Sequence, residues 1–467
     1  EHWGLRSYFG RLNYDFASKY LFEANIRYDG TSRFSKNNRW GTFPSFSTGW
    51  RFSEEKFMDF SKDFLDSGKL RASWGELGNQ NISSDYYPYL IEIERVEKAY
   101  PIGNKENVGF KQYALANENI KWETIRMFNI GVDMVALDNR LDFSFDWFKK
   151  INRNALLKPI YPSIIGITAT SNLPFENVGS IENKGWEISL NWRDKIGQVN
   201  YGLTANLSDA KNKITDLGNS TPSLGNNIRR VGDPINAYYG YLTDGLAQVT
   251  DFESYNESTQ RYENPKFPLI SSYAAIIQPG DIIYRDISGE NGNPDGKIDD
   301  YDKVVFGNPY PRYTYSLRGF AEWRNFDFSF YLQGVAKVDG YLSEEARHAF
   351  INDYSIPKKA HLDRWTPNNQ DASYPRMYYQ PDHNVVFSDY WLEDASYLRL
   401  KNIQLGYNIP KSLINKMKIS NLKVFLTIDN LFTLTNYFGG FDPEVRETSG
   451  DAYPQLKTYA IGVQLGF

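Results

Sequence analysis

Residues 458–467 read TYAIGVQLGF, and the fold turns on how this stretch is understood. Tyr459, Ile461, Val463, Leu465 and Phe467 fall on one phase. Thr458, Ala460, Gly462, Gln464 and Gly466 fall on the other. Strict period-2 alternation is the mark of a β-strand with one bulky apolar face and one small or polar face. A soluble sandwich could use such a strand. A membrane barrel could too, with the bulky face on lipid and the polar face on the lumen.

The same alternation recurs outward from this point. Leu422, Val424, Leu426 and Ile428 form the strand before it. Leu398 and Leu400 run in one phase and Ile403, Leu405 and Tyr407 in the other, which predicts a bulge near Lys401-Asn402. Tyr313 to Trp323 and Phe326 to Leu332 are joined by Arg324-Asn325 alone. The clearest pair sets Trp186, Ile188, Leu190 and Trp192 against Val199, Tyr201, Leu203, Ala205 and Leu207. Further back lie Leu141 to Trp147, Phe128 to Met134, Leu70 to Trp74, Phe46 to Phe52, Tyr20 to Tyr28 and Leu12 to Phe16. Short links are expected at 17–19, 53–67 (charged, with room for a short helix), 135–140, 194–197, 324–325 and 409–420. Long ones are expected at 29–45, 76–125, 150–183, 208–311, 337–394 and 433–456. Short turns on one side and long loops on the other are the plan of an outer-membrane barrel. Irregular loops of this length also argue against one compact soluble domain. The reading is all-β: a transmembrane antiparallel β-barrel of about 13 strands. That number is odd, whereas single-chain bacterial barrels have even numbers and no open edge. The chain is therefore expected to be the C-terminal portion of a larger barrel.

Composition agrees. Hydrophobic residues are 41% of the chain and mean hydropathy is −0.56, yet aromatics reach 16%. A barrel hides its membrane signal because half of each strand is polar, and aromatic girdles use Tyr, Phe and Trp at both interfaces. No apolar run approaches the ~18 residues of a membrane helix. Cysteine is absent, so neither disulfides nor thiolate metal sites are available. The net charge of −5, without a basic stretch interleaved with aromatics, gives no reason to expect nucleic acid as a partner. Glu1-His2-Trp3 opens the chain with neither a basic nor an apolar leader region, so no signal peptide is expected here.

Several ordered blocks resemble the SusC/RagA-type TonB-dependent transporters of the Bacteroidetes outer membrane. They are GRLNYDF (10–16), RYDGTSRFSKNNRWGTFPSFSTGWRFSEE (27–55), LRASWGELGNQNI (70–82) and NENIKWETIRMFNIGVD (117–133). ENKGWEISL (182–190), GDIIYRDISG with DGKIDDYDKVVFG (281–307) and DRWTPNN (363–369) follow. The last two are WLEDASYLRLKNIQLGYNIP (391–410) and NLKVFLTIDNLFTLTNYFGGFDPE (421–444). The resemblance runs nearly end to end. It implies a large plugged barrel of the 22-stranded type, multi-pass in the outer membrane, with the C-terminus on the periplasmic side. The plug and the TonB box lie N-terminal in that family and are not seen in this chain. It further implies import of a bulky nutrient, an oligosaccharide before a peptide, under a SusD-like surface lipoprotein lid and driven by the TonB complex. A barrel that binds at the surface without transporting is the other-class alternative.

Two sets of candidate site residues stand out. Trp365, Tyr374, Tyr378, Tyr379 and Trp391 in one long loop, and Tyr238, Tyr239 and Tyr241 in another, could stack on sugar rings. Girdle or loop packing is the plainer reading of each. Asp286, Ser288, Asp295, Asp299 and Asp302 space oxygen ligands around Gly296 as a Ca²⁺ loop would, although ENGNP (290–294) interrupts the usual spacing. An acidic turn bonding to itself is the alternative. No cofactor is required by either. Enzyme signals are poor: the histidines are His2, His348, His361 and His383, without HExxH, GxSxG or a phosphate-binding loop.

Overall fold

The computed structural model describes residues 2–82, 86–102, 105–114, 116–158, 173–218, 222, 224–352, 354–414, 419–438, 441–448 and 452–466. Phe467 and residues 159–172 of the expected 150–183 loop lie outside them. Thirteen strands form one sheet in chain order. Two compact units divide the chain: Glu1–Ser223 with Arg229–Ile235, and Leu224–Ile228 with Asn236–Phe467.

The first unit contributes β1 (Leu5–Phe16), β2 (Tyr20–Thr31), β3 (Trp40–Trp50) and β4 (Leu65–Asn79). It continues with β5 (Glu123–Ala136), β6 (Leu141–Arg153), β7 (Ser180–Ile196) and β8 (Val199–Asp216). Each successive pair is antiparallel. Turn chemistry sets the short links. Ala17 and Ser18 both adopt φ +55°, and Asp15 accepts from the Ser18 N–H, closing β1 onto β2. Two 3₁₀ turns, Phe52–Glu54 and Lys56–Ser61, fill the charged 53–67 link. The second unit contributes β9 (Tyr313–Trp323), β10 (Phe326–Ala336), β11 (Tyr397–Asn408), β12 (Asn421–Thr435) and β13 (Thr458–Gly466), again antiparallel. The expected bulge is there: Tyr331 pairs with Asn402 and Leu332 with Leu400, so Lys401 is left over.

The strands reach further into the long links than alternation alone indicates. β3 begins at Trp40 and carries Pro44 within it, opposite Ile26. β7 and β8 run 17 and 18 residues, well beyond the ~10 that cross a bilayer. The 76–125 link holds an antiparallel ribbon, Glu92–Ile102 with Lys105–Ala114.

The two faces of the sheet differ in kind. In the first unit Tyr14, Phe22, Ile130 and Leu207 stand open on one face of the strands, and in the second Phe328, Leu426 and Ile461 do, the last 79% exposed. Open apolar rows of this kind are what the wall of a membrane barrel presents to lipid. The other face is polar and knit by ion pairs. β1 and β13 are the two ends of the sheet, and β1 is exposed along all of its length.

Candidate functional site

The polar face is built by the small or charged phase of each strand. Arg71 on β4 bridges two neighbours, bonding Asp133 of β5 through Nε and Nη2 at 2.8 Å each, and Asp146 of β6 at 2.9 and 3.1 Å. Gly131 makes room for this fork. A Cβ there would meet Asp146 Oδ1 at 2.6 Å and Arg71 Nη2 at 2.8 Å. A pocket of about 540 Å³ opens beside it, lined by Asn13, Glu23, Ser47, Lys69, Arg71 and Asn129. In the second unit Lys423 bonds Asp327 at 2.6 Å, and Asn402 bonds Asp429 at 2.7 Å.

The links after residue 236 fold into a lobe of their own. Tyr238, Tyr241, Tyr374 and Trp391 pack with Ile282, Tyr284, Tyr341 and Leu342 in one buried core. Tyr239 lies in a small neighbouring core with Ile228 and Ala237. Trp365 is buried over Gly280 and donates from Nε1 to Gln248 at 3.0 Å. Six of the eight aromatics singled out from sequence thus have their faces covered by protein. Tyr378 is half-buried beneath the Arg376 guanidinium, 4.2 Å from the ring centre, and Tyr379 is exposed.

A polar network pins the lobe. Fully buried Asp281 pairs with Arg376 Nε at 2.9 Å and accepts from Asn384 at 2.8 Å and from the Gln278 N–H at 2.9 Å. Asn384 in turn accepts from the Ile282 N–H and, through its carbonyl, from Trp391 Nε1. Three histidines sit inside. Burial lowers His348 and His383, and lowers His361 to about 4, so all three are neutral at pH 7. His361 Nδ1 accepts the Lys358 N–H at 3.0 Å. Where the lobe meets β11, Arg399 is 1% exposed and pairs with Asp442 at 2.7 Å and Glu444 at 3.1 Å.

The acidic loop is turned on its own backbone. Asp302 accepts the N–H groups of Ile287, Ser288 and Asp299 at 2.8 to 3.1 Å. Asp286 accepts from Asp295 and Gly296, Asp295 from Lys297, and Asp299 from Tyr301. Ser288 Oγ turns to the Gly289 carbonyl at 3.4 Å. No group of three or more His, Cys, Asp or Glu placed to hold a metal occurs among the described residues.

Sequence reasoning did not single out Arg71, Asp281, Arg376 or Arg399. For Arg71 a signal existed, since it, Asp133 and Asp146 all fall on the polar phase of adjacent strands. For Arg376 and Asp281, 95 positions apart, none did.

Comparison with known proteins places these features. The model of the TonB dependent receptor-like β-barrel matches residues 2–431. The TonB-dependent receptor SusC of Bacteroides thetaiotaomicron is 31% identical over 474 residues, covering 99% of this chain and 44% of that protein. TonB-dependent receptor P26 of Formosa agariphila is 31% identical over 486 residues, covering 99% and 46%. A solved structure of the RagAB peptide transporter superposes with a TM-score of 0.80 at 24% identity, over 100% of this chain and 47% of that one, a likeness of fold. The chain spans about half the length of the curated relatives it matches. These relatives are named as receptors, not as enzymes.

Proposed function

We propose a transport role on one premise: the chain belongs to the TonB-dependent receptor-like β-barrel family, a family of the outer membrane. In this reading the chain is the C-terminal portion of a larger plugged barrel. Its long links are extracellular and its short turns, with the C-terminus, are periplasmic. The whole protein imports a bulky nutrient, most readily an oligosaccharide. A SusD-like lipoprotein closes over it and TonB supplies the energy through the part not contained here. The observation that carries the reading is the two-faced sheet, apolar and open on one side, charged and hydrogen-bonding on the other. A channel wall for a hydrophilic cargo needs both faces.

The resemblance to SusC/RagA-type transporters, whose cargo is usually an oligosaccharide, supports the glycan branch. The likeness of fold to the RagAB peptide transporter keeps a peptide cargo as the second reading. Of the eight aromatics singled out from sequence, Tyr379 and the rim of Tyr378 are the ones exposed enough to meet a sugar. Calcium in the 286–302 loop remains part of the proposal as a structural ion, served by Asp286, Ser288, Asp295, Asp299 and Asp302. The test is uptake by cells producing the full-length protein. Labelled oligosaccharides should accumulate in a TonB-dependent manner while labelled peptides do not. Peptide uptake alone would select the second reading, and TonB-independent retention would select a surface-binding barrel.

A further inference from the structure

Cross-strand register brings together lysines that are far apart in sequence. Lys184 on β7 lies directly opposite Lys149 of β6 and directly opposite Lys211 of β8. All three belong to the apolar phase, the one that carries Trp147 and Trp186, which pair with each other one row nearer the short turns. Lys213 and Arg153 stand further out on the same face, both exposed, and Arg126 lies there on β5. Nearby acids are few. Glu76 is taken by Arg126, at 2.7 Å from its Nε. Glu182 is shared, 2.8 Å from Lys149 and 3.8 Å from Lys184. Asp209 lies opposite Trp186. Asp216 lies opposite Ser180, which is itself opposite Arg153. Among the described residues, six cations therefore share four carboxylates.

Like charges directly opposite one another weaken a sheet. A row of three on adjacent strands stands to gain from an anion that bridges them. The place is local. The corresponding ends of β9 and β10 present Tyr313, Tyr315, Leu332 and Gly334 on the apolar phase, without charge. Apolar band, tryptophan row and lysine row succeed one another in the order of a bilayer's tails, interface and headgroups.

We propose that the Lys149–Lys184–Lys211 row, with Lys213 and Arg153, is a docking surface for an anionic, phosphate-bearing lipid headgroup of the outer leaflet. The proposal rests on the reading that the apolar face meets lipid. The lysine ammoniums bind phosphate oxygens while the tryptophans pack on the upper acyl chains. The bound headgroup also removes the like-charge penalty, so the lipid stabilises these strands.

The experiment uses the full-length protein in nanodiscs of phosphatidylcholine, with or without a lipid that carries two phosphates on its headgroup. Wild-type protein should show a higher Tm with the phosphorylated lipid and retain it in native mass spectrometry. The triple variant K149Q/K184Q/K211Q should lose roughly a hundredfold in affinity for it, as three surface lysines imply. It should also gain thermal stability in pure phosphatidylcholine, because the repulsion is gone. An equal response of variant and wild type to the phosphorylated lipid would overturn the proposal. So would a matching Tm rise from inorganic phosphate in phosphatidylcholine alone, which would assign a free-anion site. Failure of the wild type to enter either nanodisc would instead count against the lipid-facing reading.

Discussion

The sheet and the loop lobe are both rich in aromatics, yet they place them oppositely. On the strands, Tyr14, Phe22 and Phe46 of the first unit and Phe328 and Tyr459 of the second stand open. In the lobe, Tyr238, Tyr284, Tyr341, Tyr374 and Trp391 are enclosed by one another. The sheet draws its cohesion from the hydrogen-bond ladder and from ion pairs on its polar face, and leaves its apolar surface to a lipid solvent. The lobe faces water and must bury its rings to be stable. One residue class thus serves two solvents, and exposure, not composition, separates the regions.

The largest effect is expected at their junction. Arg399→Leu leaves Asp442 and Glu444 without their buried partner, and should cost about 3–5 kcal/mol. The 437–446 segment should become protease-sensitive while the heat-modifiable gel shift of the barrel persists. Trp391→Ala should remove about 3–4 kcal/mol from the lobe, since a large cavity opens in its core. Ile461→Ala, on the open face of the sheet, should cost on the order of 1 kcal/mol because no protein cavity forms. Comparable costs at the two positions would erase the contrast.

Gly131→Ala sharpens it from the sheet side. The new Cβ would press on the Arg71–Asp146 pair, and the loss should be about 1–3 kcal/mol in denaturant titration. Acid should act on the lobe more gently. His348, His361 and His383 have folded pKa values below their unfolded value near 6.5, so the unfolded lobe binds more protons. The stabilising contribution of His361 is complete above about pH 6.5 and is lost as pH falls toward 4, and those of His348 and His383 are lost in the same direction. H361N keeps an acceptor for the Lys358 N–H and removes one titration, so the acid slope should flatten.

How much was legible follows from the range of the forces involved. Strand phase is local, so Trp186 to Trp192, the Arg324-Asn325 turn and the bulge at Lys401 were all readable. Strand length was not. Past the lipid band the alternation stops being hydrophobic, and Glu182 and Lys211 read as loop although they lie on β7 and β8. The lobe was the least legible part. Its core joins Ile282 to Asn384 and Trp365 to Gln248, pairings across more than 100 positions with no periodic signal. For the same reason the loop aromatics could be named but not assigned to core or surface. In the acidic loop, Asp302 could be spotted, but not that three backbone N–H groups already converge on it.

The lipid-facing claim is tested most directly along β13. The chain contains no cysteine, so single cysteines can be placed from 459 to 465 without background from this region. Spin labels there, in the full-length protein in bilayers, report collision with oxygen, which prefers lipid, and with a polar nickel chelate. The account predicts strict alternation. Oxygen access should be high at 459, 461, 463 and 465, and the chelate should be favoured at 460, 462 and 464. Equal chelate access at both phases would contradict it and return this sheet to water.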